Sequence, residues 1–404
     1  MAKFSTGIEA TLSAFGLALL MLLVILFCVP KAYYDATLVY GRPVYQFVFV
    51  ALASVAAVWV PFGYCGRAAL WWPIGILLVS IAIATVAAWP AANATSLTIS
   101  YDVTAAGAAL AGMVLGLKIS VRKVIRVLLT IHCLCAASLV ISGALLISGV
   151  IRPMEASDRV YDQSMFFPVT LLAIIQPVAI DYLVRLRRQT LAWVLWAGTT
   201  SLCFAFGNMS ATRSVILVSS ISAIVSGARL VRGQTRWFLA VMLLVVGVSL
   251  VSTETLSNTF SNLSTRLANE GYSSGTRIEE LQAMFDQLGW RATIGLGIGG
   301  AFFSEIVWEG NPDGLDWAPH IAIATPLLKG GLVALCSCVL WPAAIVGLRL
   351  LKGTSAACRA LLTSIGVYLI QASVSGGYHY GPLLILGVLV GSYNRLSDGI
   401  EAMT

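Results

Sequence analysis

Charge is what this sequence has least of: Asp, Glu, Lys and Arg fill 11% of the 404 positions, against about 25% in an ordinary soluble domain. That scarcity excludes a soluble globular protein of this length. Acidic residues are nearly missing from the apolar runs, where Glu9 and Asp181 stand near run ends, and this disfavours a carrier driven by intramembrane carboxylates. Histidine occurs three times, which confines imidazole chemistry near neutral pH to His132, His320 and His379. The first apolar run, Gly7 to Pro30, lacks a small-x-small cleavage site, so it reads as an uncleaved first span. No pair of related halves is visible of the kind that repeat-built transporters carry. Metal-ligand spacing is missing too: Glu305, Glu309, Asp313 and Asp316 share one loop without a pattern that would converge on an ion. The eight cysteines lie mostly inside apolar runs, and the C-x-C pairs Cys133/Cys135 and Cys336/Cys338 put neighbours on different helix faces. They read as buried, reduced thiols, not as ligands.

What is present is apolar sequence, 58% of the chain. In lipid every backbone N–H and C=O must be satisfied within the protein, so runs of about 20 apolar residues imply helices. The expected fold is therefore an all-α polytopic membrane protein with twelve spans. These fall at about 7–30, 44–63, 69–89, 103–119, 124–148, 166–184, 191–207, 214–230, 237–252, 319–346, 356–375 and 380–394. With the N-terminus inside, sixteen of the 25 Lys and Arg residues fall in the cytoplasmic loops and tails, as the positive-inside rule requires. Both termini are then cytoplasmic. The net charge of +7 reflects attraction to an anionic leaflet, and no nucleic-acid partner is expected.

Three regions follow: nine spans over 1–250, a long outer loop over 251–319, and three spans with a cytoplasmic tail over 320–404. Within the loop, Thr276-Arg277-Ile278-Glu279 has capping-box spacing, and Ile278, Leu281, Met284, Phe285 and Leu288 recur at helical intervals. An amphipathic helix is expected there, on the membrane surface or over a cavity. Gly295-Leu296-Gly297-Ile298-Gly299-Gly300 has no strand before it, so a tight backbone turn is expected and not a dinucleotide loop.

Several polar residues are placed where chemistry is possible. Arg213 stands at the outer mouth of a helix pair, where a permanent charge either snorkels to the interface or serves a buried anion. Arg277 is expected to open the amphipathic helix, where N–H groups and a guanidinium favour phosphate; the plainer reading is a solvated salt bridge to Glu279, Glu280 or Asp286. His320 stands where the loop re-enters the membrane after Trp317-Ala318-Pro319. A neutral imidazole there can take a proton from a sugar hydroxyl, or simply hold an interfacial hydrogen bond. His132, in mid-span, reads as structural, and His379 stands at the outer end of the last spans.

The stretch Ser210-Ala211-Thr212-Arg213-Ser214, the loop Gly275-Thr276-Arg277 with its following helix, and the glycine-rich turn leading to His320 together resemble the O-antigen polymerase and O-antigen ligase superfamily. The resemblance covers mainly residues 200 to 395. In the ligase histidine motif, Asn, Ser or Gln follows the histidine, and a glycine comes after nine more residues. A final Gly, Thr or Tyr closes the motif. Here Ile321 follows His320, Gly331 is in register and the last position is Ala334. That departure favours a polymerase over a ligase.

The resemblance implies a glycan donor and acceptor carried on undecaprenyl diphosphate, presented at the periplasmic face of the bacterial inner membrane, with no metal, nucleotide sugar or other cofactor. It implies Arg213 and Arg277 as cationic partners of the diphosphate and His320 as the base that deprotonates the acceptor hydroxyl. Arg266, Arg291, His379 and Trp317 would bind substrate, and Tyr272, Trp290 and Trp308 would stack on sugars or anchor at the interface. A chain-length regulator and a flippase would be its partners in the bilayer. The leading expectation is thus a polymerase of O-antigen, capsular or exopolysaccharide, with a ligase second. A lipid-linked sugar transporter, from a different class, would need a basic cavity, and the spans offer only Lys329.

Overall fold

The computed structural model describes residues 82–87, 96–148, 154–156, 159–161, 163–209, 213–231, 272–304, 315–316, 318–319, 321–351, 354–374 and 380–397. The expected spans near 7–30, 44–63 and 237–252, and most of 69–89, lie outside the described residues. The rest is mostly helical, as a chain without bulk water around its backbone must be. In chain order the helices are α1 Ser96–Lys118, α2 Val121–Ile147, α3 Gln163–Arg185, α4 Gln189–Met209 and α5 Arg213–Leu230. Then come α6 Tyr272–Leu288, α7 Thr325–Leu335, α8 Trp341–Leu351, α9 Ala356–Val374 and α10 Tyr380–Ser397. Two short antiparallel ladders sit in the connections: β1 Met154–Ala156 with β2 Arg159–Tyr161, and β3 Phe302–Phe303 with β4 Leu315–Asp316. Among the described residues five helical segments are long and apolar enough to cross a membrane: Val121–Leu145, Pro168–Arg185, Gln189–Gly207, Ala322–Leu351 and Ala356–Val374.

α3 is the central helix and packs on α2, α4, α5 and α9. It carries Pro168 and Pro177 in its interior. Pro177 has no N–H to give the carbonyl four residues back, which is that of Ala173, and the Ser222 hydroxyl of α5 donates to that oxygen at 2.6 Å. The helix thus tolerates its proline because a neighbour supplies the missing donor. Trp196 of α4, fully buried, likewise donates its indole N–H to the Ala223 carbonyl at 2.9 Å.

The basic helix ends gather at one end of this bundle. Arg126 Nε donates to the Tyr182 hydroxyl at 3.0 Å, and Arg395 donates to the carbonyls of Leu117 and Lys118 at 2.7 and 3.1 Å, satisfying two oxygens that the end of α1 leaves open. Asp181, whose side chain is 4% exposed, takes Arg229 Nε at 2.6 Å and also pairs with Arg185. One carboxylate therefore ties α3 to α5 between two guanidiniums. Asp181→Asn should leave those cations facing each other and cost about 1–3 kcal/mol, read as a lower unfolding temperature of the detergent-purified chain.

The cysteines depart in part from expectation. Cys135, Cys203 and Cys358 are buried free thiols, whereas Cys133 and Cys336 are exposed on the outer surface of the helices.

One expected span is not a simple helix. In place of a continuous crossing over residues 319–346, the segment begins as a 3-10 turn, Ala322–Ala324, and continues as α7. Gly330 (φ −135°, ψ 16°) and Gly331 (φ 68°, ψ −163°) break α7, and a π-helical stretch, Cys336–Leu340, follows before α8. Two consecutive glycines allow the break, since Gly331 takes a left-handed φ that a side chain resists.

Candidate functional site: the seat of the glycine-rich turn

A broken helix frees backbone oxygens, because the N–H groups beyond the break no longer point back along the axis. Here the freed oxygens are met by the glycine-rich turn. Leu296 N–H donates to the Leu328 carbonyl at 2.7 Å, and Gly297 N–H donates to that of Lys329 at 2.9 Å. The turn reaches them through alternating left-handed residues: Gly295, Gly297 and Gly299 have φ of 82°, 82° and 78°. This is the close-packed turn expected from the sequence. Its next two N–H groups go elsewhere, from Ile298 to Thr85 Oγ1 at 2.9 Å and from Gly299 to Asp102 Oδ2 at 2.7 Å.

Lys329 completes the seat. Its ammonium lies 2.7 Å from Asp102 Oδ2 and donates to the Gly300 carbonyl at 2.7 Å. Lys329 is 1% exposed and Asp102 5%. Asp102 Oδ1 has no hydrogen-bond partner among the described residues. Asp102 and the carbonyl of Lys118 at the basic end stand sixteen residues apart on α1, roughly 24 Å along a helix. The seat and the basic cluster thus occupy opposite ends of the bundle.

α6 is fastened to the same place. Met284 and Leu288 pack with Leu296, Phe302, Ala324, Leu327 and Leu328, joined by partly buried Leu281. Gln287 brackets Phe303, accepting its N–H at 2.8 Å and donating to its carbonyl at 2.5 Å. Three expectations are corrected. The helix starts at Tyr272, so Thr276 does not cap it and Arg277 lies in the second turn, away from the open N–H groups at its start. The buried stripe is also narrower than expected, since Ile278 is 62% exposed and Phe285 48%. Glu280, assigned to a solvated face, is buried.

The other expected site residues are placed unevenly. Arg291 lies in the 3-10 turn Gly289–Thr293, next to the glycine-rich turn, with its guanidinium 5.8 Å from the centre of the exposed Trp290 ring. Its carbonyl accepts N–H groups from Ile294 and Gly295, so its backbone is held by the same seat. Arg213 is the first residue of α5, which packs on α3, α4 and α9, and the described contacts do not bring it to the seat. His320, Trp317, His379 and Arg266 lie outside the described residues, as do Trp308, Glu305, Glu309 and Asp313. Pro319 beside His320 is buried and Ile321 leads directly into the turn that starts α7. His132 is fully buried in α2, and neither ring nitrogen has a hydrogen-bond partner among the described residues.

Sequence reasoning missed Asp102 and Thr85. It set the span at 103–119, one residue past Asp102, and so counted no carboxylate there; the structure overturns that count. The signal that would have found it was Lys329 itself, since a lone ammonium inside an apolar run needs a counter-charge. Chemically the seat is a set of donors and acceptors that, Asp102 Oδ1 apart, satisfy one another, suited to holding backbone in place. Among the described residues no three His, Cys, Asp or Glu side chains converge to hold a metal ion. Compared with protein-family models and with curated proteins, the chain matches none of them.

Proposed function

We propose that this membrane protein is a glycosyltransferase that works at the outer face of a bacterial inner membrane, extending a polysaccharide from undecaprenyl diphosphate-linked repeat units. The observation that carries the reading is the folded loop. Residues 272–304 are packed on the end of the membrane helices opposite the basic end, and locked to the helix that begins just after His320. A long loop built as a fixed wall over helix ends suits a reaction between two lipid-anchored substrates, both of which must approach along the membrane. In this reading the twelve-span topology puts the basic end in the cytoplasm, and His320 takes the proton of the acceptor hydroxyl. Arg213 and Arg277 stabilise the diphosphate as it leaves, Arg277 now as a side-chain donor only. Arg291, Arg266, Trp317 and His379 contact sugar or phosphate.

A second reading, a transporter of lipid-linked sugars, gains from one observation that the sequence did not provide. A discontinuous membrane helix beside a buried Asp–Lys pair is an arrangement found at transporter binding sites. One reconstitution separates the two. The purified chain in lipid vesicles, supplied with undecaprenyl diphosphate-linked single repeats and neither nucleotide nor added metal, is expected to make longer lipid-linked chains. Arg213→Ala with Arg277→Ala should slow that elongation by about 100-fold or more. Movement of the substrate across the bilayer without elongation would support the transporter instead, and full elongation by the double variant would sink the diphosphate clamp.

A further inference from the structure

Three segments distant in sequence meet at the Asp102 carboxylate. Its Oδ2 accepts from the Lys329 ammonium and from Gly299 N–H, while the same ammonium holds the Gly300 carbonyl. The ion pair therefore grips the turn at two adjacent residues, the carboxylate by an N–H and the ammonium by an oxygen. Neutralising a buried lysine needs only a carboxylate, and nothing in that task requires either partner to reach the loop. Almost complete burial strengthens each of these contacts. The backbone around them leaves no slack: a Cβ on Gly295 would stand 2.6 Å from Gly330 N, and one on Gly331 would stand 2.2 Å from the Thr293 carbonyl oxygen.

We propose that Asp102 and Lys329 are positioning residues forming a two-point latch, which keeps the loop in register on the broken helix. Through the loop they set where Arg291 stands, and through α7 where the chain enters after His320. Neither touches substrate. The latch itself is independent of the enzyme's identity; its effect on elongation rests on the polymerase reading.

The test uses the full-length chain and Asp102→Leu with Lys329→Met, which removes both charges and both grips together. Replacing a buried pair by apolar residues is commonly tolerated, so this variant is expected to insert and accumulate like the parent. Ala301 is 1% exposed behind the turn; Ala301→Cys is introduced in both backgrounds, and each is treated with a membrane-impermeant maleimide. Labelling above the cysteine background is expected to rise at least tenfold when the latch is removed, and elongation to fall at least tenfold. Unchanged protection of the introduced thiol in the double variant overturns the latch, and unchanged elongation alongside increased labelling overturns the positioning role. A parent that labels as expected but elongates nothing refutes the polymerase reading and leaves the latch standing. If the double variant does not accumulate, hydrogen exchange on the parent decides: amides of Gly297 to Gly299 as protected as those of α1 support the latch, and rapid exchange overturns it.

Discussion

Gly112→Val is expected to abolish accumulation of folded protein in the membrane, and Gly391→Val to do the same from the opposite helix. α1 and α10 run side by side with their backbones in contact through Gly112-x-x-x-Gly116 on one and Gly387-x-x-x-Gly391 on the other. A Cβ on Gly112 would stand 2.1 Å from the Leu384 carbonyl oxygen, and one on Gly116 2.4 Å from that of Val388. From the other side, Gly387 and Gly391 would each meet a carbonyl, of Ala109 and Met113, at 2.2 Å. In every case the obstacle is backbone, which cannot rotate aside. Overpacking a soluble core costs about 1–3 kcal/mol, and more is expected where two rigid helices must separate along their length. Water supplies no compensating drive, because lipid solvates apolar side chains as well as a neighbouring helix does. Separation would also pull Arg395 from the carbonyls that it caps. The measurement is the monodisperse yield after detergent extraction. Gly347→Ala is the control, since among the described residues no atom outside its own stretch of helix lies within 4 Å of the position its Cβ would take, and its yield should match the parent.

That helix pair also shows where sequence stops being informative. Hydropathy locates an apolar helix well, because it is an average over many residues, and α2, α4, α5 and α9 end within a few residues of the expected positions. The same averaging hides single-residue events. It runs straight through Gly330–Gly331, since two glycines barely lower the hydropathy of a thirty-residue apolar segment. It also clips Asp102 from the start of its helix. The pattern Thr276-Arg277-Ile278-Glu279 satisfies a local capping rule, yet α6 begins four residues earlier, where packing of Met284 and Leu288 on the α7 cluster decides the helix's placement. The glycine-rich turn is legible as a turn, because left-handed φ is a local property of glycine. Its four destinations are not, because Thr85, Asp102, Leu328 and Lys329 are brought together only by tertiary packing. Of the arginines and histidines expected to act on substrate, Arg291 alone can be followed to a described side-chain position, beside that turn.

Substitution at Gly289, just before the turn, and at Gly297 within it separates conformational cost from crowding. Gly289 has φ 48°, and among the described residues no atom beyond its chain neighbours lies within 4 Å of a Cβ position, so Gly289→Ala should meet only the left-handed backbone penalty, about 1–2 kcal/mol, and Gly289→Asn less. Gly297→Ala meets the same penalty at φ 82° and also drives its Cβ to 2.4 Å from the Thr85 backbone. Neither segment can yield cheaply, because moving the turn away from Thr85 draws Gly299 from Asp102 and Leu296 from the broken helix at the same time. Gly297→Ala is therefore expected to unseat the loop while leaving the bundle folded, since α1 to α5 pack without it. Trypsin reads the difference directly: half-buried Arg291 should be cut at least tenfold faster in the Gly297→Ala chain than in the parent or in Gly289→Asn, at unchanged yield of the membrane domain. Equal cleavage in all three would mean that the loop holds its place without the turn, and that the hydrophobic packing of α6 alone secures it.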